Sequence, residues 1–156
     1  MSPRLPVPPF TWGAATQKVR SIEDSWNGRK PAHVALRYTI DSVWRNGIEF
    51  LSGRAAIEAF LTQIWRQQRE YRLVNEVWAF AGNRIALRYA SEYHDENGNW
   101  IRSYGNEHWE VDPDGLIRRR MANFNNHSIS GADRLFRWPV CPERCPFVIV
   151  LRYPRW

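Results

Sequence analysis

Three charged residues are the best candidates for chemistry in this sequence: Arg88, Glu107 and Arg120. Each lies in a segment whose side chains alternate as in a β-strand. If the three strands align, a glutamate lies between two arginines, and we expect it to be ionised because arginine favours the charged form. Such a carboxylate can act as a base, and arginine can stabilise developing negative charge. Glu107 and Arg120 are therefore the candidate catalytic residues.

Two tight turns decide whether these residues meet. The Asn97-Gly98 pair is the strongest short signal for a β-hairpin, and residues 112–115 (DPDG) are typical of a second turn. With a two-residue first loop and a four-residue second loop, Arg88 pairs with Glu107 and Glu107 with Arg120. Neighbouring strands lie roughly 4.8 Å apart, so we expect salt bridges across all three strands. An error of one residue in a turn would move side chains to the other face.

Two alternatives to a functional row remain open. A buried row of arginine, glutamate and arginine can satisfy its own charges and fix the sheet register without any ligand. Plain alternation along the first of these strands would also expose Arg88, Glu92 and His94 and bury the residues between them. Those residues form an apolar set: Ile85, Leu87, Tyr89 and Tyr93.

The elements that must position these residues are helices and strands in a definite order. Apolar residues at helical spacing predict a first helix that ends at Asn27-Gly28, and Pro31 begins a short second helix. A short strand follows at 43–45, then a helix that begins at Ser52 or Gly53, and a strand at 71–80. This order predicts an α+β fold in which about three N-terminal helices pack on the concave face of a curved, mostly antiparallel sheet. Such a cone leaves a cavity for a small ligand.

The expected cavity lining supplies the candidate ligand-binding residues. They are Trp44, Asn46, Phe60, Trp65, Arg88 and Glu92. Flat tryptophan walls and a bidentate arginine anchor predict a small cyclic or partly aromatic ligand that carries one negative charge. Glu92 and His94 form an incomplete metal set, so no metal is expected. No dinucleotide fingerprint, phosphate-binding loop or nucleophile triad is visible, and no cofactor is expected.

Composition narrows the classes of partner and the domain organisation. The net charge of +6 suggests nucleic acid, but the arginines alternate along strands instead of forming one basic stripe, so no nucleic-acid partner is expected. No apolar run is long enough to span a membrane and no signal pattern is visible, which favours a cytoplasmic protein without membrane association. We expect one domain at 10–138, between a proline-rich arm at 1–9 and a tail at 139–156 that carries Cys141 and Cys145.

Several short motifs resemble the nuclear transport factor 2-like superfamily, which includes SnoaL-like polyketide cyclases and ketosteroid isomerase. They are Tyr38-x-x-Asp41-Ser42-x-Trp44, Gly53-Arg54-x-x-Ile57-x-x-Phe60 and Trp109-Glu110-Val111-Asp112-x-x-Gly115-Leu116-Ile117. The resemblance covers about four fifths of the chain, from Thr11 to Trp138. The segments at 44–50 and 102–107 are similar to an uncharacterised bacterial subfamily of that superfamily.

This resemblance implies a cone-shaped fold, ligands inside the cone and homodimers through the outer sheet face. It places Glu107 where the isomerase keeps a protonated acid, and it puts Arg88 and Arg120 in the cavity lining. It also places the apolar set of the first long strand on the outer face, where a partner subunit or the tail would cover it. The isomerase's catalytic tyrosine and general base correspond to Ile22 and Asn46, which cannot do that chemistry.

Two functions from different classes follow from these observations. The first is a small-molecule pocket protein, either a carrier or an enzyme acting on a small cyclic or anionic substrate. The second is a non-catalytic dimerisation or interaction module. An open cavity lined by the charged row favours the first function, and a cavity filled by tryptophan side chains favours the second.

Overall fold

The computed structural model describes residues 4–139, and these form one six-stranded sheet and three α-helices. The sheet is mixed, curved and unclosed, which confirms the predicted α+β cone. We call the face covered by helices the inner face and the opposite one the outer face. In chain order the elements are α1 (Trp12–Asn27), α2 (Pro31–Ala35), β1 (Tyr38–Asn46), β2 (Glu49–Ser52), α3 (Arg54–Gln67), β3 (Arg69–Ala81), β4 (Arg84–His94), β5 (Trp100–Val111) and β6 (Ile117–Ile129).

Helix α1 forms where the apolar stripe predicts it. The Thr11 hydroxyl accepts a hydrogen bond from the Ala14 amide at 3.1 Å and so caps the first turn. One side of the helix lies in the core through Ala15, Val19, Ile22 and Trp26. Its contact with β3 lays this stripe across the concave side of the sheet and brings Trp26 to the centre of the domain.

The strand order is β2-β1-β6-β5-β4-β3, and β1 pairs with β6 in parallel while every other pair is antiparallel. Strand β1 is longer than the 43–45 segment expected for it, and β2 was not predicted. The parallel pairing places Trp44 beside Arg120 and Asn46 beside Ala122 on the inner face. These residues reach the centre of the sheet only because β1 lies next to β6.

The first turn differs from its prediction by one residue. Asp95 closes a three-residue loop, because its amide donates to the Asn99 carbonyl at 3.1 Å and its carbonyl accepts from Gly98 at 3.2 Å. The Asp95 carboxylate also accepts from the amides of Asn97 at 2.8 Å and Asn99 at 2.9 Å. These bonds favour the longer loop, in which Gly98 alone has a positive φ. The predicted pairing of Arg88 with Glu107 is therefore wrong, and Arg88 faces Asn106 instead.

The register between β5 and β6 differs from the predicted one by two residues, which keeps Glu107 and Arg120 on the same face. The Asp112 carboxylate accepts from the amides of Asp114 at 3.0 Å and Leu116 at 2.9 Å, so the loop again has three residues. A bulge between Glu110 and Val111 shifts the register further, and Glu107 pairs with Ala122. Arg120 pairs with Trp109 and remains a diagonal neighbour of Glu107 on the same face.

Plain alternation, not the family resemblance, decides the faces of β4. Its apolar set lies in the hydrophobic core under the helices: Ile85, Leu87, Tyr89 and Tyr93. The expectation that these residues cover the outer face is therefore wrong, and a homodimer cannot rest on their exposure. The one-residue change in the first turn accounts for this, because it reverses the faces of β4 relative to β5.

The outer face is partly covered by residues 131–138. Phe136 and Trp138 pack against Val74 and Ala90 in a second apolar cluster. The buried carboxylate of Glu92 holds this segment, accepting from the amides of Leu135 at 2.8 Å and Phe136 at 3.2 Å. The tail beyond it, including Cys141, Cys145 and the apolar run at 147–151, lies outside the described residues.

Candidate functional site

An ion pair between Glu107 on β5 and Arg120 on β6 forms the centre of the inner face. Arg120 donates from Nη2 to Glu107 Oε1 and from Nη1 to Asn46 Oδ1, the latter at 3.0 Å. The other oxygen of Glu107 accepts from Trp109 Nε1 at 2.7 Å. Both charged residues are buried, and the carboxylate is held at both of its oxygens. This is the part of the predicted row that forms.

Aromatic rings enclose the guanidinium of Arg120. Its Cζ atom lies 4.5 Å from the ring centre of Trp44 and 5.1 Å from that of Trp26, and these two rings stack at 5.8 Å. Such contacts favour a cation over the ring face. Burial is the largest single influence and lowers the pKa of Arg120, but the charge and hydrogen bond of Glu107, together with Tyr38 and Tyr89, outweigh it and raise the pKa. Arg120 is therefore a permanent cation.

Three tyrosines around the ion pair are held neutral. Burial raises the pKa of Tyr38, Tyr71 and Tyr89 above the usual value for a phenol. The hydroxyl of Tyr38 accepts from Trp26 Nε1 at 3.2 Å. These phenols can donate hydrogen bonds, but they are not bases near neutral pH.

A cavity of about 80 Å³ lies beside the ion pair, and we call it the inner pocket. Apolar side chains of α1, α3 and the sheet form part of its wall, and amides and hydroxyls complete it. The lining residues are Trp26, Asn46, Phe60, Ile64, Gln68, Tyr71, Leu73, Tyr89, Ser91, Tyr93, Ser103, Glu107, Arg120, Phe124 and Asn126. Small-ligand sites commonly measure about 300–1,000 Å³, so the pocket in this conformation admits a functional group rather than a whole ring.

Several donors in this region are buried and unpaired. Among residues 4–139, the Nε of Arg120 and the indole nitrogens of Trp44 and Trp65 have no hydrogen-bond partner. A buried donor without a partner costs about 1–3 kcal/mol. Of these three residues, Arg120 is the one that lines the inner pocket.

Four of the predicted ligand-binding residues lie on the inner side. Asn46 and Phe60 line the pocket, and Trp44 contacts the guanidinium of Arg120. Trp65 packs edge-on against Trp26, with ring centres 5.8 Å apart, and lies one layer behind the pocket wall. Neither Trp44 nor Trp65, the tryptophans expected to be pocket walls, lines the inner pocket itself.

Arg88 and Glu92 do not join this site. Both are on the outer face of β4, where Arg88 forms a salt bridge with Glu76 at 3.0 Å and Glu92 forms one with Arg102 at 2.8 Å. The expected placement of Arg88 beside Glu107 is wrong because the first turn has three residues. The inner pocket therefore contains one arginine and one glutamate, instead of the two arginines and one glutamate expected.

Sequence reasoning missed four residues that shape the pocket. Trp26 was expected only as part of the apolar stripe of the first helix, and the family resemblance placed Tyr89 on the outer face. Ser103 and Asn126 were not singled out, although the Ser103 hydroxyl donates to Asn126 Oδ1 at 2.5 Å at the pocket wall. Once the three-residue loop is known, alternation along β4, β5 and β6 places Tyr89, Ser103 and Asn126 on the inner face.

Within residues 4–139, no group of three or more His, Cys, Asp or Glu side chains is arranged to hold a metal ion. No helix in that part of the chain is long and apolar enough to cross a membrane.

Solved structures with the same fold share little sequence with this chain. The epoxide hydrolase/cyclase-like enzyme SalBIII, described for pyran ring formation in the polyether salinomycin, is 15% identical over 71% of this chain and 90% of its own, with a TM-score of 0.64. An NTF2-like protein of unknown function from Burkholderia pseudomallei is 18% identical over 71% and 90%, also at 0.64. An LEH-like epoxide hydrolase from M. tuberculosis is 15% identical over 71% and 82%, at 0.56.

At these identities the likeness establishes the fold alone. No curated protein matches the chain. A family model described as "Protein of unknown function (DUF1348)" matches residues 8–137, which is most of the sequence. The chain therefore belongs to this uncharacterised family, and its fold is that of the nuclear transport factor 2-like superfamily.

Proposed function

We propose that this protein binds a small organic molecule whose oxygen atom enters the inner pocket and accepts a hydrogen bond from Arg120. The observation that carries the proposal is the Nε–H of Arg120, which is buried and has no partner among residues 4–139. A ligand oxygen at this point recovers part of the free energy lost by the unpaired donor. Asn46 and Glu107 already occupy other positions on the same guanidinium, so the ligand adds to a fixed network.

The charge balance of the pocket favours an uncharged acceptor, such as a carbonyl or ring ether oxygen. An anionic ligand was expected from two arginines around one glutamate, but Arg88 lies on the other face and pairs with Glu76. Arg120 is already neutralised by Glu107. A second carboxylate in this pocket would lie near Glu107 without a second cation to balance it.

The size of the pocket indicates which part of the ligand enters it. A volume of about 80 Å³ corresponds to two or three water molecules, at roughly 30 Å³ each. The polar end of the ligand fits this space, and a ring attached to it would lie against Phe60 and Phe124 after a small movement of α3. These aromatic side chains supply the apolar surface of the site.

The catalytic form of this proposal is proton removal by Glu107. With an epoxide as substrate, Glu107 takes a proton from a bound water as the water oxygen forms a bond to an epoxide carbon and the bond from that carbon to the epoxide oxygen breaks. Arg120 stabilises the negative charge left on that oxygen, which then takes the proton from Glu107. Two proteins of similar fold are described as epoxide hydrolases or epoxide hydrolase/cyclase-like enzymes, and an epoxide oxygen is an uncharged acceptor of the proposed kind. Those names describe those proteins and serve here as support for the substrate class.

A binding comparison of acetophenone, benzoate and benzylamine tests the proposal. We expect acetophenone to bind most tightly and benzylamine least, as measured by ligand-observed NMR. The Arg120→Met variant should weaken acetophenone binding by about tenfold, because a hydrogen bond from a charged donor contributes about 1.5–3 kcal/mol. Arg119→Met is the matched control, since it removes the same charge one residue away on the outer face.

The fold of Arg120→Met must be checked by circular dichroism, because it leaves Glu107 buried without its partner. A second variant that combines Glu107→Leu with Arg120→Met removes both charges and avoids this problem. A preference for benzylamine, or equal acetophenone affinity in wild type and both Arg120 variants, would refute the proposal. Tightest binding of benzoate that is lost in Arg120→Met and kept in Arg119→Met would support the original expectation of an anionic ligand in the inner pocket.

A second candidate function is self-association through β1 and β2. Four apolar side chains of β1, β2 and the turn that joins them are exposed: Ile48 at 94%, Ile40 at 76%, Phe50 at 73% and Val43 at 42%. Strand β2 is also an edge of the sheet. A homodimer would cover this surface. Sedimentation should then show a dimer for the wild type and a monomer for Phe50→Lys, whereas a wild-type monomer at micromolar concentration would exclude this function.

A further inference from the structure

A second cavity, independent of the proposed function, opens on the outer face across β3 to β6. It has a volume of about 480 Å³, within the range of small-ligand sites, and we call it the outer basin. Its apolar part is formed by Ala79, Ala86 and Met121. Its polar part includes His108, Arg84 and Arg119. The outer basin thus combines an apolar surface with basic side chains.

The two arginines of the outer basin flank one glutamate. Arg84 and Arg119 both pair in register with Glu110, one from β4 and the other from β6. Glu110, however, forms its salt bridge with Arg118, which the bulge brings alongside it. Arg84 and Arg119 therefore have no salt-bridge partner among residues 4–139.

The electrostatics of Glu110 agree with this geometry. Its pKa is lowered chiefly by the hydrogen bond from Arg118, and the charges of Arg119 and Arg84 lower it further. Glu110 is thus a carboxylate surrounded by cations. Arg84, Glu110 and Arg119 thus form an arginine–glutamate–arginine row in register on the outer face, but without the salt bridges expected for such a row.

Charge also decides between the occupants that this basin could have. A second copy of the chain in a twofold interface would bring the same basic surface against itself, which is unfavourable. Residues 140–156 contain three arginines and one glutamate, so this segment is basic as well. An external anion is the complementary occupant.

We propose that the outer basin binds a small amphipathic anion, with one carboxylate attached to a flat apolar body. Strands β4 and β6 both neighbour β5, so the backbones of Arg84 and Arg119 lie about 10 Å apart and their long side chains can converge on one carboxylate. The apolar body lies on Ala79, Ala86 and Met121. His108 supplies a further polar contact from β5.

The test compares 1-naphthoate with its uncharged amide, 1-naphthamide, by isothermal titration calorimetry on the full chain. We expect naphthoate to bind at least about tenfold more tightly than the amide, and to lose about tenfold in affinity in Arg119→Met and in Arg84→Met. Both side chains are exposed, so these variants should fold. Affinity should also fall when the salt concentration rises from about 50 to about 300 mM.

Two control variants separate this site from the inner pocket and from general charge. Arg20→Met removes an exposed arginine of α1 and should leave naphthoate binding unchanged. The double variant Glu107→Leu with Arg120→Met should also leave it unchanged, so the proposal stands or falls apart from the proposed function. Equal affinity for naphthoate and naphthamide would overturn the proposal, and so would a naphthoate affinity that is unchanged in both Arg84→Met and Arg119→Met. The proposal would also fail if the full chain does not bind naphthoate because a second copy or residues 140–156 occupy the outer face.

Discussion

Glu107 and Arg120 form a buried ion pair although their backbones are not directly opposite. Glu107 pairs with Ala122 and Arg120 pairs with Trp109, so the two side chains meet diagonally across β5 and β6. The diagonal contact leaves one oxygen of Glu107 for the indole of Trp109. The carboxylate is therefore held from two directions, and the cation that holds it lies against the rings of Trp26 and Trp44.

Removing the carboxylate of Glu107 should destabilise the protein strongly. In Glu107→Ala the Arg120 guanidinium stays buried without its partner, and we expect the free energy of unfolding to fall by about 3–5 kcal/mol. Urea unfolding followed by tryptophan fluorescence measures this change. Glu76→Ala is the control, because its salt bridge with Arg88 is partly exposed and should contribute less than about 1 kcal/mol. Equal losses in the two variants would show that the Glu107 pair is solvated.

The placement of Trp26, Glu107 and Arg120 on the inner face could be predicted from the sequence, because it depends on local patterns. The stripe of α1 and the alternation along β5 and β6 placed Trp26, Glu107 and Arg120 on faces that the structure retains. The two-residue error in the register of β5 and β6 left Glu107 and Arg120 on one face, since strand side chains repeat every second residue. The face of a strand residue could therefore be predicted wherever the register error was an even number of residues.

The position of Arg88 could not be predicted, because a carboxylate sets the length of the first turn. Asp95 bonds to the amides of Asn97 and Asn99 and so favours a three-residue loop over the two-residue loop that Asn97-Gly98 suggests. The difference of one residue reverses the face of Arg88. An aspartate two residues before an Asn-Gly pair favours an Asx-turn, and this is the local signal for the longer loop.

A methyl group at Gly105 should not fit beneath Tyr89. A Cβ at this position would lie 2.8 Å from the Asn123 carbonyl oxygen and would collide with the Tyr89 ring. We expect Gly105→Ala to lower the free energy of unfolding by about 1–3 kcal/mol, as overpacked cores do. Gly13→Ala is the matched control, since nothing lies within 4 Å of a Cβ there and alanine is the better helix former. Unchanged stability in Gly105→Ala would mean that the Tyr89 ring has room to move.

Stability should depend on pH through Glu23. Burial raises the pKa of this carboxyl from 4.5 to about 7, even though its Oε1 accepts from the Asn75 amide at 2.5 Å. Because the folded-state pKa is the higher one, the protonated form contributes stability that is complete below about pH 4.5 and is lost as pH rises through about 7. Thermal unfolding from pH 5 to 8 should show this decrease.

The Glu23→Gln variant should remove that part of the pH dependence, since glutamine keeps an oxygen for the Asn75 amide and carries no proton to lose. Glu58→Gln is the control, because this glutamate is exposed on α3. A midpoint that falls by the same amount in Glu23→Gln as in the wild type would show that other groups dominate the titration.

Glu92 should hold residues 131–138 on the outer face and should not bind a ligand in the inner pocket. Its carboxylate binds Arg102 and two backbone amides, and the segment it holds begins nearly forty residues later, so no local pattern reveals the contact. We expect Glu92→Gln to speed amide hydrogen exchange at Leu135 and Phe136 by about tenfold or more, because charge-assisted hydrogen bonds to these amides are lost. Acetophenone binding should stay unchanged, and Glu76→Gln should alter neither measurement. If Glu92→Gln weakens ligand binding while exchange at Leu135 and Phe136 stays slow, Glu92 has the ligand role that the sequence suggested.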